Sequence, residues 1–352
     1  MNSVQNGLIG FTCAYTPLPL IAAAGFTPHR ILPLTDAPDG AGTYLHENLC
    51  PHVKKVLDRF IVSDLPPLSG VVLMNSCDTM RRLADAIAEV SPETPLITVD
   101  LPVTDDDAAI SYLAAELERL QNTLQQWGGD RQDSAAVAEN VNNYNKMERE
   151  IAGLFKLNAA GRLPQGRKAI ETILRQSVSA PMQQTFMEID KLTSAATAEG
   201  QKEGIPVFLF GNILPGEESF DLFEQCGVHV VGDDLCTGGR QIQNYGEPSE
   251  NNALENLARS ILSRSPCART LRQHEPNRLA EWIVGGARES GAKGVIAHVM
   301  KFCDPYLARL PAIRNRLKEE NLPLLVLEGD CSLRSFGQQR TRIEAFAEML
   351  WS

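Results

Sequence analysis

Short apolar runs alternate with stretches of helical spacing in the first and last thirds of the chain, whereas the middle shows helical spacing alone. Residues 8–11, Leu-Ile-Gly-Phe, predict a strand, and 17–24 predict a helix stopped by Gly25. A second short strand is predicted at 30–34, then a helix over 50–61 with Val53, Val56, Leu57 and Phe60 on one face. Residues 71–74, Val-Val-Leu-Met, form a continuous apolar run, the mark of a parallel strand covered on both faces. A helix over 79–90 and a strand over 95–99 complete a β-α-β alternation, hence a parallel sheet. Three aspartates at 105–107 then cap a long helix carrying Leu113, Leu117, Leu120 and Leu124 and ended by Gly128-Gly129. Further helices are predicted at 134–157, 168–178 and 181–199. Alternation returns with strands at 207–210, 228–231, 294–300 and 323–327, and helices at 254–262, 276–291, from 305 and at 340–350. The expected fold is α/β: two doubly wound, Rossmann- or flavodoxin-like parallel-sheet domains, 1–104 and 204–352, joined by a helical region, 105–203. A duplicated architecture is plausible, although no sequence repeat supports it.

The chain's 352 residues suit two domains plus a linking segment. The net charge of −11 argues against nucleic acid or an anionic membrane surface as partner, since both require basic patches. One local basic cluster is Arg334, Arg340 and Arg342. The longest early apolar stretch, 18–26, contains Pro19 and Gly25 and is too short to span a bilayer, so a cytoplasmic location is expected. In a reducing compartment eight cysteines are thiols rather than a disulfide framework, and thiols used this often invite a metal.

No Cys-x-x-Cys occurs, which excludes zinc-finger and ferredoxin-type motifs. The informative feature is topological. Cys13, Cys77, Cys236, Cys303 and Cys331 each follow a predicted strand, the place where open α/β sheets bind ligands. Cys50 opens a helix instead. Cys77 also precedes a helix, as does Cys303, with Asp304 expected as N-cap and Pro305 as the first helical residue. Helix N-termini favour thiolates and other anions. A single cysteine is commonly a small buried hydrophobe, but five at equivalent places are not explained that way. Cys226 is read as core, and Cys267 as a loop residue with no role.

At these residues the sequence resembles the 2-hydroxyacyl-CoA dehydratase family, specifically the D-component type subunits of 2-hydroxyglutaryl-CoA dehydratase. That family also holds benzoyl-CoA reductase subunits and double-cubane cluster proteins. The resemblance rests on GFTCAYTPLPLIAAAGFTPHRI, HENLCPHVKK, NSCDTMRRL, HVMKFCDPYLARLPAIRNRL and LPLLVLEGDCSLRSFGQQRTRIEAFAEML. It implies that Cys50, Cys77 and Cys303 bind one 4Fe–4S cluster and leave an iron open. Double-cubane proteins, with an 8Fe–9S cluster, resemble the chain at Cys13, Cys50, Cys77, Cys236 and Cys303. Their usual sixth cysteine, between the LCP and SCD elements, is missing here; Cys331 is the candidate substitute.

The resemblance further implies an acyl-CoA substrate, a homologous subunit in a homo- or heterodimer, and an ATP-hydrolysing iron–sulfur activator. In such enzymes one electron added to the thioester carbonyl gives a ketyl that expels the α-hydroxyl. Three functions follow: a dehydratase subunit, a double-cubane reductase of small molecules, or a non-catalytic cluster-carrying partner. Arg340 and Arg342 are candidates for CoA phosphates or a partner surface, with a solvated helix face equally compatible. His46 and Glu47 are candidates for a base, though ordinary exposed polarity explains them too. His298 reads as a core histidine, and Asp330 as a capping or orienting residue of open role.

Overall fold

The protein is described from a computed structural model covering residues 6–33, 39–200, 204–270, 275 and 277–351. Leu34 of the predicted second strand, residues 201–203 of the middle segment and Pro276 of a predicted helix lie outside the described residues. Strands β1 (Leu8–Phe11), β2 (Thr27–Arg30), β3 (Leu68–Asn75) and β4 (Leu96–Asp100) form a first sheet in the order β2-β1-β3-β4. Strands β5 (Ile205–Gly211), β6 (Val228–Asp234), β7 (Gly294–Met300) and β8 (Leu324–Gly329) form a second in the order β6-β5-β7-β8. Every pairing is parallel, and the two sheets share one topology.

Both sheets are covered on both faces, which is why their central strands are largely apolar; every residue of β7 is buried. In the first domain α1 (Leu18–Ala23), α4 (Asp107–Gln126) and the start of α5 (Ser134–Ala159) cover one face. There they share a core with α9 (Ala253–Ser263) from the second half of the chain. The other face is covered by α2 (Pro51–Ile61) and α3 (Asp78–Val90). In the second domain α8 (Glu218–Gln225), α12 (Leu333–Gly337) and α13 (Arg340–Trp351) cover one face, and α10 (Arg278–Glu289) and α11 (Asp304–Glu319) the other. The remainder of α5 packs with α6 (Gly166–Gln176) and α7 (Met182–Ser194) in a core of their own. Both sheets are therefore doubly wound, as the alternation of runs predicts.

Two boundaries differ from expectation for identifiable reasons. The second strand runs over Thr27–Arg30, three residues earlier than predicted, because Pro28 is tolerated on an edge strand, where one side of the ladder is unpaired. The helix after β7 begins one residue earlier, so Cys303 itself is the N-cap and Asp304 the first helical residue.

Candidate metal centre between the two sheets

In each sheet the chain reverses direction of winding between its two central strands, β1/β3 and β5/β7, and such points leave a crevice beyond the strands' carboxyl ends. The two crevices meet in one cavity of about 490 Å³. Six of the eight cysteines line it: Cys13, Cys50, Cys77, Cys236, Cys267 and Cys303. None is in a disulfide.

Cys50, Cys77 and Cys303 share a local design. Each is the N-cap of a helix, of α2, α3 and α11 respectively, and none spends its side chain on a cap hydrogen bond. Three helix N-termini therefore present their orphan N–H groups and positive dipole ends along with the sulfurs. Burial dominates the thiols nonetheless, pushing Cys50 and Cys267 up to about 12 and raising Cys13, Cys77 and Cys303. Helix-start amides oppose it: those of His52 and Val53 at Cys50, of Met80 and Thr79 at Cys77, and of Tyr306 at Cys303. The thiols also raise one another. Cys50 feels Cys303 and Cys77, Cys303 feels Cys236 and Cys77, Cys13 feels Cys236, and Cys267 feels Cys236 and Cys13.

Two side chains donate directly to these sulfurs. Asn212, just past β5, donates from Nδ2 to Cys303 Sγ at 3.4 Å and accepts the Met300 amide at 2.9 Å. Arg240, 1% exposed, donates from Nη1 to Cys236 Sγ at 3.2 Å. Its other N–H groups bind the Asp234 carboxylate and Tyr306 Oη at 2.6 Å, and Tyr306 donates to Gly211 O at 3.0 Å. Gly211 has φ +137°, and a Cβ there would collide with the His298 carbonyl. Arg30, from β2, crosses to the second domain, donating to Cys236 O at 2.7 Å and to Gln241.

Of the residues singled out in the sequence, Cys331 is not on the cavity wall. It is fully buried behind it, its Sγ 3.5 Å from Met300 Sδ. Cys226 belongs to the core of the second sheet. Arg340 is bonded to Gln225 and paired with Glu344, Arg342 donates to Val326 O, and Arg334 is exposed on α12; none lines the cavity. His46 and Glu47 are exposed and stand off it. His298 is buried edge-on against Phe336. Asp330 accepts the Ser332 amide and pairs with Lys301. The sequence pattern does not single out Arg240, Arg30 or Asn212, and it gives Cys267 no role. Only the cysteine carries a signal, as a thiol in a chain whose other thiols cluster.

A profile of the family described as 2-hydroxyglutaryl-CoA dehydratase, D-component, matches residues 13–350. The chain belongs to this family. Among its D-component relatives, the lactoyl-CoA dehydratase beta subunit of Anaerotignum propionicum is 26% identical, with 98% of this chain and 92% of that protein aligned. The (R)-phenyllactyl-CoA dehydratase beta subunit of Clostridium sporogenes is 24% identical over 99% and 93%. A benzoyl-CoA reductase subunit of Thauera aromatica is 23% identical over 90% and 84%. Members of the family are thus dehydratase and reductase subunits, and their names imply a partner subunit. No helix among the described residues is long and apolar enough to cross a membrane.

Proposed function

We propose that this D-component chain is the iron–sulfur subunit of an enzyme that removes water from a 2-hydroxyacyl-CoA by one-electron chemistry. It would work with a homologous subunit and an ATP-hydrolysing activator. The observation that carries the reading is the convergence of three N-cap thiols, Cys50, Cys77 and Cys303, from both domains on one cavity.

Three thiols on one cavity wall are the donor type a cubane uses. Among the described residues no three His, Cys, Asp or Glu side chains close on a point fit for a lone ion. A cubane differs because each thiolate binds a different iron at a different corner. When bound, a 4Fe–4S cluster supplies one-electron transfer and an iron that lacks a cysteine ligand. The protein's share is the rest. Cys50, neutral at pH 7 with its pKa near 12, yields its proton on loading. The helix N-termini offset the anionic charge gathered there. Asn212 and Arg240 hold sulfurs in place by hydrogen bonds, which raise the potential of any centre bound to them. Val53, Met80, Ile213 and Phe302 on the wall exclude water from a radical-forming site.

The test is iron and acid-labile sulfide on anaerobically purified or reconstituted protein. About four irons per chain are expected, lost in Cys50→Ser, Cys77→Ser and Cys303→Ser alike. Wild-type protein that takes up no iron sinks the reading.

A second reading is favoured by the three further thiols on the same wall. Cys13, Cys236 and Cys267 supply three further ligands, with Cys267 in the sixth place for which the sequence offers Cys331. A double-cubane reductase would hold about eight irons per chain, falling to about four in Cys267→Ser and unchanged in Cys331→Ser.

A further inference from the structure

The turn that leads from β7 into Cys303 holds an aromatic residue in a strained backbone. The turn is fixed from several sides: the Met300 amide donates to Asn212 Oδ1 at 2.9 Å, the Lys301 amide to Gly329 O at 2.9 Å, and the Cys303 amide closes on Met300 O at 3.2 Å. Phe302, third in that turn, is left at φ +59°. A positive φ at the third position of a turn selects glycine or asparagine, because a Cβ there crowds the backbone. Six non-glycine residues among those described have positive φ, and Phe302 alone of them is aromatic. Glycine would make the same turn without strain. A bulky side chain kept in such a place has a use that the turn itself does not explain.

The ring's position supplies that use. Phe302 is 43% exposed and stands on the wall of the thiol cavity. The two phenol rings on that wall, Tyr15 and Tyr306, are instead buried and tied down through their hydroxyl groups. A lone exposed apolar side chain is ordinary on a protein surface, but this one strains its backbone beside a cavity thiol. The two sheets offer a comparison within one molecule. Strands β3 and β7 hold the same place in their sheets, and each leads into an N-cap cysteine, Cys77 or Cys303. The residue before Cys77 is Ser76 and the residue before Cys303 is Phe302, and both line the cavity. One thiol is thus approached past a hydroxymethyl group and its counterpart past a phenyl ring.

We propose that Phe302 is the specificity-determining residue of this cavity: its ring screens Cys303 from the solvent side and lets only slender molecules reach that half of the site. Because the turn is fixed, the ring can yield only by rotating about its own side-chain bonds. A straight chain can lie against the phenyl face, whereas a branched one meets it edge to edge. In the proposed reaction the molecule admitted is a straight-chain acyl group. That identification rests on the acyl-CoA reading above; the screening of Cys303 does not.

The test labels the thiols of the full, metal-free chain with N-ethylmaleimide or N-tert-butylmaleimide, which share a reactive group and differ in branching. Peptide mass spectrometry gives the rate at each cysteine. The ratio of the tert-butyl rate to the ethyl rate is compared between variants, so that a change in thiolate fraction, which moves both rates together, cancels. At Cys303 the ratio should rise about tenfold in Phe302→Gly, rise less in Phe302→Leu and not rise in Phe302→Trp. At Cys77, with Ser76 before it, the ratio should stay constant throughout. Phe302→Gly should melt no lower than wild type, because it relieves the left-handed turn. A Cys303 ratio indifferent to the side chain at 302, or a Cys77 ratio that moves by the same factor, overturns the proposal. So does a Phe302→Gly protein that melts well below wild type, since the ring would then serve packing. Iron uptake is a separate readout: a chain that takes up no iron ends the catalytic reading and leaves these ratios standing, and indifferent ratios leave iron uptake untouched.

Discussion

His298 places an imidazole inside a strand in which every residue is buried, with Nδ1 unpartnered and the ring edge-on to Phe336. Burial lowers its pKa to about 4 from an ordinary 6.5. Between those values the unfolded chain takes a proton that the folded one refuses, so stability falls as pH drops through the window. The gap corresponds to about 3 kcal/mol. Urea midpoints at pH 7 and pH 4.5 should therefore converge in His298→Gln relative to wild type; an unchanged pH dependence would show that the ring is not held neutral. The same scale explains what the sequence reveals of the thiols. Cys13, Cys77, Cys236 and Cys303 are legible because a strand's carboxyl end faces the crevice whatever the side-chain details. Cys331 follows β8 in the same way and is buried one layer behind the wall, in a cluster with Met300 and Ile213 against which Cys50, Cys236 and Cys303 pack. Cys267 follows no strand; the packing of α9 against α4 and α5 carries its loop to the cavity.

Elements rather than residues decide how the loop after β6 is held. Asp233, at the end of that strand, accepts the Leu235 and Gly239 amides at 3.2 and 2.8 Å, closing the turn that presents Cys236 and Arg240. Its other oxygen is gripped by Arg167 of α6, 1% exposed, which also pairs with Glu171. Arg167→Met removes the cation and leaves Asp233 buried and charged, at a cost of about 3–5 kcal/mol. Adding Asp233→Asn should recover part of that loss, because the amide side chain carries no charge to strand. A denaturant series on Arg167→Met, Asp233→Asn and the double variant checks this; losses that simply add would show that the pair is not coupled. None of this is visible in the sequence, where the middle segment reads as helices without a signature. Periodicity finds α6 through its own apolar face, but which strand it braces depends on a contact between residues 167 and 233, far apart along the chain. The strands themselves are legible as apolar runs, apart from the edge strand that Pro28 disguises.

At the scale of the molecule, two sheets of identical order face their crevices toward one another, and neither domain alone owns the proposed centre. Cys50 and Cys77 come from the first, Cys303 from the second. A cubane needing all three would join the domains by metal–sulfur bonds in addition to the existing hydrogen bonds of Arg30 to Cys236 O and Arg264 to Ala14 O. Binding free energy then becomes stability of the domain arrangement. Iron loading should raise the melting temperature by about 5–10 °C and slow amide exchange together at the starts of α2, α3 and α11. The deciding comparison is Cys303→Ser, which alters only the second domain. If the two domains are bridged, that variant must lose the iron-dependent protection at His52, Val53 and Thr79 in the first domain as well. Protection that survives there would place the metal within the first domain alone, and the shared crevice would then be a contact surface between domains rather than the seat of a cluster.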